Sequence, residues 1–407
     1  MKILYVSFNY PPEMGAPAAR VSELARAWSS RGHEVTVLTG FPSFPHGVKR
    51  PADRGVVWRR EQDGPVTVLR TYIYATPNRG RVRRTAGFLS YLASASALGT
   101  ALVERPDVVV ATSPQIFAGV VGAVLSTTLR APFVLEVRDL WPESIVAAGA
   151  LREGAIIRGV ARMAQWLYDR ADRIVTVGHG YRDGILRRYR VDPAKIAVFT
   201  NGVDLERFTP DPGRLAIRRS FGFRDTDFVV LYLGTHGMSH ALSTVVDAAA
   251  RLRQDFRFAF VGDGAEKPAI MEQAARMGVD ATFVPPVGKD DVVRWYTAAD
   301  ACLVPLRKAE LFTEVLPSKM FEIMAMRRPF VISVAGEARD VALRSGAAIA
   351  VPPEDTDALC DALARLRADP GLVRRMGDAG RAFVEAHYDR ARIAADYAAF
   401  LESVARR

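Results

Sequence analysis

Two glutamates that flank a short turn are the side chains best suited, by type and spacing, to handle a polar substrate. Glu314 and Glu322 stand eight positions apart in the segment Glu314-Val-Leu-Pro-Ser-Lys-Met-Phe-Glu322. The Glu322 carboxylate would accept two hydrogen bonds from ribose hydroxyls, and Glu314 would then face a sugar. The spacing alone favours a solvated loop glutamate ahead of a capped surface helix, because glutamate is usually exposed. Neither glutamate is predicted to be a core residue.

The residues between the two glutamates predict the start of a helix. Pro317 and Ser318 are typical of a first helical turn, with Ser318 as an N-cap. Lys319 follows directly and would supply positive charge for a diphosphate. The segment therefore predicts free backbone amides, a cation and a carboxylate at one helix start.

A glycine-containing turn follows the first predicted strand. It runs Asn9-Tyr-Pro-Pro-Glu-Met-Gly15-Ala-Pro17 and leads into a helical pattern. A glycine at a strand-to-helix turn lets a phosphate approach the backbone, where the helix start favours an anion. The segment is not a dinucleotide-binding fingerprint, and an ordinary turn is the simpler interpretation.

Short β-branched runs alternate with helical patterns along the whole chain, which predicts repeated βα units and two parallel sheets. The first series of strands is predicted at 3–8, 34–39, 67–72, 108–111, 133–137, 173–177 and 196–199. The second series is predicted at 229–233, 257–261, 281–284, 301–304, 330–333 and 348–351. Turn-forming residues from Thr200 to Asp204 predict a hinge between the series. The predicted domains are therefore 1–200 and 201–387, with a last helix at 388–407 that packs back on the first domain.

Length and composition agree with this organisation. A chain of 407 residues exceeds what one hydrophobic core supports, and its 49% hydrophobic and 25% charged residues are typical of globular proteins. Its two cysteines, Cys302 and Cys360, lie in apolar surroundings and indicate a reducing compartment. The sequence starts directly with a predicted strand rather than a signal peptide, so we expect a cytoplasmic protein. The uncharged stretches Thr85–Val103 and Val108–Leu129 are not predicted to cross a membrane, the second because Ser-Pro-Gln divides it.

Positive charge is concentrated in the first half of the chain. Residues 1–200 contain 27 Lys and Arg against 16 Asp and Glu, a net +11, whereas residues 201–407 contain 28 against 29, a net −1. Arg79, Arg81, Arg83 and Arg84 directly precede the uncharged stretch from Thr85. This order fits contact with an anionic membrane surface at the inner face of the cell membrane, and it fits a solvated charged face equally well. Nucleic acid is not expected, because no aromatic residues interleave with the arginines.

Several motifs spread over nearly the whole chain resemble the retaining glycosyltransferases of family 4, which have the GT-B fold. They are Arg31-Gly-His-Glu-Val35, Asn201-Gly-Val-Asp204, Val261-Gly-Asp-Gly264, Tyr296-Thr-Ala-Ala-Asp300 with Pro305, and the Glu314–Glu322 pair. A subgroup that includes the N-acetyl-fucosamine transferases of surface polysaccharide assembly is more similar still. That similarity lies in Asn9-Tyr-Pro-Pro-Glu13, Thr39-Gly-Phe-Pro42, Ala111-Thr-Ser-Pro114, Arg138-Asp-Leu-Trp-Pro-Glu-Ser144 and Leu316-Pro-Ser-Lys319.

The resemblance implies two Rossmann-like α/β domains with parallel sheets that face each other across a cleft. It implies a UDP- or GDP-linked sugar as donor, with Glu322 on the ribose, Glu314 on the transferred sugar and Gly15 on the donor phosphate. Further donor-binding residues implied are Gly234, His236, Gly262, Asp263, Gly264, Val287, Leu316, Pro317 and Ser318. Lys319, Arg138 and Asp139 join Glu314 as the catalytic candidates.

Two departures from the family pattern affect these assignments. Relatives often have an Arg and a later Lys after the first strand of the second domain, where this chain has Gly234-Thr-His236-Gly237 and only His240 nearby. Neutralisation of the diphosphate is therefore expected from Lys319 and backbone amides. Relatives also often have His where this chain has Arg138 before Asp139.

The sequence contains no Asp-x-Asp motif and no clustered His and Cys, so neither a metal ion nor another cofactor is expected. The resulting hypothesis is a metal-independent, retaining sugar transfer to a lipid-linked acceptor in surface polysaccharide or glycolipid assembly. Three alternatives stay open. They are a sugar-nucleotide epimerase of the same fold, a glycosyltransferase for a small soluble acceptor, and an inactive sugar-nucleotide-binding protein.

Overall fold

The computed structural model describes residues 1–13, 15–43, 47–76, 81–147 and 154–406. The chain divides into two compact units, the first formed by Met1–Thr200 with Ala391–Arg407 and the second by Asn201–Arg390. Each unit is a sheet with helices packed on it, the arrangement of a Rossmann-like domain. No helix among the described residues is both long and apolar enough to cross a membrane.

The first unit contains an eight-stranded sheet in the order β3-β4-β2-β1-β5-β6-β7-β8. Its strands are β1 (Lys2–Val6), β2 (Glu34–Gly40), β3 (Trp58–Asp63), β4 (Val66–Thr71), β5 (Val108–Thr112), β6 (Phe133–Val137), β7 (Arg173–Thr176) and β8 (Ile196–Val198). Its helices are α1 (Ala16–Ser29), α2 (Arg81–Leu102), α3 (Ile116–Leu129), α4 (Glu143–Ala147), α5 (Ala155–Arg170) and α6 (His179–Arg188).

The second unit contains a six-stranded sheet in the order β11-β10-β9-β12-β13-β14, and all of its pairs are parallel. Its first helix, α7 (Arg214–Ser220), precedes the strands β9 (Phe228–Leu233), β10 (Phe256–Val261), β11 (Ala281–Val284), β12 (Ala301–Pro305), β13 (Phe330–Ser333) and β14 (Ala348–Ala350). The other helices are α8 (Leu242–Leu252), α9 (Lys267–Arg276), α10 (Lys289–Ala298), α11 (Lys319–Ala325), α12 (Glu337–Arg344), α13 (Thr356–Ala368) and α14 (Pro370–His387).

Alternate side chains of the central strands enter the two cores of the second sheet. On β9, Val229 and Leu231 belong to one core, and Val230 and Tyr232 belong to the other. A strand that is buried on both faces has a continuous apolar sequence, and β9 was predicted from such a run. The second uncharged stretch likewise forms β5, a short turn and α3, as expected from its Ser-Pro-Gln interruption.

The last helix, α15 (Arg390–Ala405), begins at the last residue of the second unit, and its remaining residues belong to the first unit. Within that unit, the Trp28 indole nitrogen donates to the Ala394 carbonyl at 3.1 Å. The rings of Phe199 and Tyr397 stack with centroids 4.6 Å apart. Helix α15 is therefore part of the core of the first unit.

The two sheets are parallel, as the sequence predicted, except for one edge strand of the first sheet. Strand β3 was not predicted, and it pairs with β4 in the antiparallel sense. Its sequence Trp-Arg-Arg-Glu-Gln-Asp lacks an apolar run, because an edge strand needs no buried faces and polar residues protect it from unwanted pairing. Arg59 of this strand donates to Asp53 at 2.7 Å.

Candidate functional site

The donor-binding residues expected in the second unit lie at the carboxyl ends of its central strands. Gly234 and His236 follow β9, and Gly262, Asp263 and Gly264 follow β10. Parallel α/β sheets bind ligands at this edge, because the strand-to-helix loops meet there. The structure therefore brings together residues that are about thirty positions apart in the sequence.

Two of these glycines are required by close backbone contacts. Gly262 has φ 138° and Gly264 has φ 158°, conformations that other residues rarely adopt. A Cβ atom on Gly262 would lie 2.0 Å from the Gly234 carbonyl oxygen, and one on Gly264 would lie 2.3 Å from the His236 carbonyl oxygen. The loops after β9 and β10 are thus packed backbone against backbone.

We expect Gly262→Ala to lower the free energy of unfolding by roughly 1–3 kcal/mol, because the added methyl group forces the two loops apart. Urea unfolding measures the change. Gly288→Ala is the matched control, since a Cβ there meets nothing within 4 Å. Equal stability of the two variants would contradict the contact between the loops.

Lys319 is the cation that faces these loops. Its Nζ atom is buried and has no hydrogen-bond partner in the part of the chain that the structure describes. The same atom lies 4.2 Å from the centre of the Tyr232 ring, and a Cβ on Gly234 would lie 2.7 Å from it. Burial lowers the pKa of Lys319 to about 8, while the nearby Glu322 carboxylate raises it. None of the three donors of this ammonium group has an acceptor among the described residues.

The two histidines near this lysine carry no charge at neutral pH. His236 is fully buried, and burial together with the positive charges of Lys267 and Lys319 lowers its pKa to about 4. Burial also lowers the pKa of His240, to about 3, with Lys319 adding to the effect. In the sequence, His240 is the basic residue near the Gly234–Gly237 segment. Burial and the charge of Lys319 keep it neutral.

Glu322 lies on the first turn of α11, as the sequence predicted. The Tyr296 hydroxyl donates to Glu322 Oε2 at 3.0 Å. The prediction of Ser318 as an N-cap is correct for its position but wrong for its side chain. Ser318 occupies the N-cap position of α11, but its backbone is helical and its side chain caps no amide. The hydroxyl has no capping bond because a helical residue does not point its side chain back at the next amides.

Glu314 differs from the expectation of a solvated loop residue. It ends a 3-10 turn, Glu310–Glu314, and is only 2% exposed. The turn is pressed against the loop after β13, where a Cβ on Gly336 would lie 2.0 Å from the Thr313 carbonyl oxygen. Tertiary packing of this turn, which nearby sequence cannot reveal, buries the carboxylate.

The other predicted donor residues occupy more varied positions. Leu316 is 3% exposed and belongs to the core, so only its backbone can reach a ligand. Pro317 and Val287 are half-buried, whereas Asp263 is exposed and accepts from the Gly264 amide at 2.8 Å. Lys267, which the sequence reasoning missed, donates to the carbonyls of Gly262 and Val284 at 2.8 and 3.0 Å. It joins the loop after β10 to the end of β11.

In the first unit, Gly15 occupies the N-cap position of α1 with φ 136°, which favours glycine. Its carbonyl accepts from the Ala19 amide at 3.0 Å. Arg138 and Asp139 follow β6, at the same edge of the sheet as this turn. Arg138 Nη1 donates to the Pro17 carbonyl at 3.2 Å, so it ties the end of β6 to the start of α1.

A buried ion pair between Glu136 and Arg20 lies near Arg138. Glu136 is fully buried on β6, and the Arg20 guanidinium donates to its Oε1 atom through Nε and Nη2 at 3.0 and 2.9 Å. The Tyr5 hydroxyl donates to Glu136 Oε2 at 2.7 Å. Burial lowers the pKa of Arg138 and raises the pKa of Asp139 to about 6. The sequence reasoning missed Glu136 and Arg20, which lie far apart in the chain.

A cavity of about 260 Å³ lies at this edge of the first sheet. Phe8, Phe88 and Trp141 provide aromatic walls, and Asn9 and Gln115 provide polar groups. Glu13 holds two lining residues of the cavity in place. The Glu13 carboxylate accepts from the Asn9 side chain at 2.6 Å and from the Ser43 amide at 2.8 Å. The cavity therefore combines apolar surface with a few oriented polar groups, the usual character of a small-molecule site.

Only part of the predicted membrane-contact segment lies within the described residues. Arg79 lies outside the described residues, as do the side chains of Arg81 and Arg84, whereas Arg83 is exposed on α2. Within the described residues, no group of three or more His, Cys, Asp and Glu side chains could hold a metal ion.

Residues 15–202 match the family described as glycosyl transferase 4-like domain, and residues 227–369 match the family described as glycosyl transferases group 1. The two Rossmann-like units and these two matches define the protein as a glycosyltransferase of the GT-B fold. In particular, it carries a family 4-like domain followed by a group 1 domain. These matches favour the transferase over the epimerase alternative.

Named relatives agree with this class. The chain is 25% identical over 374 residues to the putative colanic acid biosynthesis glycosyl transferase WcaI of Escherichia coli, covering 88% of this chain and 90% of WcaI. It is 30% identical over 277 residues to a D-inositol 3-phosphate glycosyltransferase of Streptomyces bingchenggensis, covering 64% of this chain and 59% of that protein.

Solved structures share the fold at low sequence identity. Sucrose-phosphate synthase from Thermosynechococcus elongatus superposes with a TM-score of 0.80 at 19% identity, covering 99% of this chain and 98% of that one. HepE from Anabaena, solved in complex with UDP and glucose, gives a TM-score of 0.75 at 17% identity, covering 99% and 100%.

Proposed function

We propose that this glycosyltransferase is a retaining, metal-independent enzyme that takes its sugar from a UDP- or GDP-linked donor. The observation that carries the proposal is the buried Lys319 ammonium beside the loops of Gly234 and Gly262, which forms no hydrogen bond with a described residue. A preorganised cation without a protein partner stabilises a diphosphate leaving group, because it is desolvated before the substrate arrives. The crystallised complexes of HepE with UDP and with UDP-glucose support a donor of this class.

The two carboxylates would contact different parts of the donor. Glu322, on the helical turn after Lys319, would accept the ribose hydroxyls, and Glu314 would oppose positive charge at the anomeric carbon of the transferred sugar. Retention would follow if the acceptor attacks from the face that the leaving group vacates. The leaving phosphate would then take the proton of the acceptor, so this proposal assigns no side-chain base.

Release of nucleoside diphosphate tests the proposal. We expect the protein to release UDP or GDP from one nucleotide sugar, mainly when an acceptor is present, and to form an α-linked product from an α-linked donor. Nuclear magnetic resonance of the product reads the anomeric configuration. A β-linked product would contradict retention, and a changed sugar without transfer would identify an epimerase.

We expect turnover to survive excess EDTA, because Lys319 and backbone amides, rather than a divalent ion, would neutralise the diphosphate in this proposal. The assay compares initial rates before and after dialysis against EDTA. A loss of rate that Mg²⁺ restores would contradict metal independence.

We propose the cavity of the first unit as the acceptor-binding region, with Gly15, Arg138 and Asp139 at its edge of the sheet. Aromatic walls with a few polar groups suit a sugar acceptor. The name of WcaI supports an acceptor in surface polysaccharide assembly, which we expect to be lipid-linked. The relatives named for D-inositol 3-phosphate favour a small soluble acceptor as the second candidate.

A lipid-linked acceptor would place the protein at the cytoplasmic face of a membrane. In this proposal Arg79, Arg81, Arg83 and Arg84 would contact anionic lipid and contribute about 1 kcal/mol each. Replacing all four with Gln should release the protein from anionic liposomes at moderate salt in a co-sedimentation assay. If the unaltered protein ignores such liposomes at low salt, the soluble acceptor is favoured.

A further inference from the structure

The second unit contains a larger cavity at the opposite edge of its sheet from the donor loops. Its volume is about 450 Å³, within the usual range for small-molecule sites. Phe228 begins β9, and Asp300 and Arg328 precede β12 and β13, so the cavity lies at the amino-terminal ends of these strands. The loops of Gly234 and Gly262 lie at the carboxyl ends.

The walls of this cavity carry an excess of positive charge. The arginines that line it are Arg214, Arg327, Arg328, Arg367 and Arg374. Three of them have carboxylate partners. Arg214 pairs with Asp300, Arg327 with Asp378 at 3.3 Å, and Arg367 with Asp255 at 2.8 Å.

The other two, Arg328 and Arg374, form no ion pair with any described residue of the chain. The Asp300 carboxylate attracts Arg328 but is already paired with Arg214 and, at 2.9 Å, with Arg218. The cavity therefore holds more guanidinium groups than its own carboxylates neutralise.

Arg328 supplies an independent indication of a ligand. Its Nε atom is buried, and no described residue forms a hydrogen bond with it. Burial lowers the pKa of Arg328 to about 10, and the positive charges of Arg214 and Arg218 add to the effect. Arg328 as a whole is half-buried. A guanidinium nitrogen that is buried without a partner destabilises a fold, so its position beside a cavity points to an anion that binds this guanidinium group.

The wall around Arg328 is preformed. Arg327 has a left-handed backbone with φ 52°, and helix α14 packs directly on this turn. A Cβ on Gly377 of α14 would lie 2.3 Å from the Arg327 carbonyl oxygen. The backbone of this turn is therefore fixed against the backbone of α14, the helix that carries Arg374.

We propose that this cavity is a second anion site, which binds the phosphate group of a small molecule through Arg328 and Arg374. Guanidinium groups pair with phosphate oxygens in two parallel hydrogen bonds, and their planar shape tolerates burial better than an ammonium group does. The shared chemistry is the phosphate group itself, whether free in solution or carried by a sugar. This inference does not depend on the identity of the sugar donor.

Calorimetric titration with pyrophosphate, at constant ionic strength, tests the proposal. The background variant is Lys319→Gln, which disables the proposed donor phosphate site in the same unit. We expect this variant to bind pyrophosphate still, and the added change Arg328→Gln or Arg374→Gln to weaken binding tenfold or more. The control is Arg276→Gln, an exposed residue of α9 paired with Glu272, and it should leave the affinity unchanged.

Arg374 is exposed, so its variant keeps the test valid even if Arg328→Gln folds poorly. Loss of all binding in Lys319→Gln would overturn the proposal, and so would unchanged affinity in both arginine variants. Inorganic phosphate and hexose 6-phosphate then distinguish the sources. Tighter binding of the hexose phosphate would assign the cavity to a phosphorylated sugar, and equal binding would assign it to the phosphate group alone.

Discussion

Lys319→Met is expected to lower kcat about a hundredfold or more, because it removes a preorganised positive charge from the developing negative charge of the leaving group. Folding should survive the change. The Lys319 Nζ atom is buried and forms no hydrogen bond with the described residues, and a methionine of similar length would fill the same space without burying a charge. Lys308→Met, at an exposed position after β12, is the matched control and should keep the full rate.

The pH dependence of stability gives a second measurement on the same pair of proteins. The pKa of Lys319 is lowered from 10.5 to about 8, so between these values the unfolded chain binds more protons than the folded one at this group. This group therefore makes the free energy of unfolding rise with pH across that window. Urea unfolding at pH 8 and pH 10 should show a smaller rise for Lys319→Met than for the unaltered protein. An equal rise would mean that the ammonium group is not buried.

Replacing the two glutamates is expected to impair different kinetic constants. Glu314→Gln should lower kcat about a hundredfold with little change in the donor KM, because its charge opposes one that develops only in the transition state. Glu322→Gln should chiefly raise the donor KM, because ribose contacts exist before and during the reaction. Glutamine is preferred to alanine at Glu314, since this side chain is 2% exposed and its truncation would leave a cavity.

Steady-state rates at varied donor concentration separate these effects, and circular dichroism checks that both variants fold. Glu310→Gln, at the exposed start of the same 3-10 turn, is the control for a general disturbance of this segment. If both folded variants keep the original kcat and donor KM, the assignment of the glutamate pair is wrong.

Most strands could be predicted from the sequence, because their pattern is local. Runs such as Val108–Ala111 and Phe330–Ser333 are apolar and β-branched over a few neighbouring residues, and the structure places strands there. Strand β3 could not be predicted in this way. Its sequence is polar, and only pairing with β4 makes it a strand.

The candidate donor residues were also identifiable in part. Their types and order allowed Glu314, Lys319 and Glu322 to be singled out, since helix starts, lysines and carboxylates suit a sugar nucleotide. Their environments were not identifiable. Gly234, at the end of β9, and Tyr232 lie about ninety positions before Lys319, yet they create the pocket that lowers its pKa.

The sequence by itself thus determined the alternation of strands and helices and the chemical types available at the strand ends, because both depend on neighbouring residues. Only the tertiary structure decided that Glu314 is buried, that His236 and His240 are neutral, and that no described residue bonds to the Arg328 Nε atom. The physical reason is that burial and electrostatic interaction depend on distance in space. Arg214, Arg328 and Arg374 come from three distant segments, and the packing of α14 on the turn before β13 helps to gather them around one cavity.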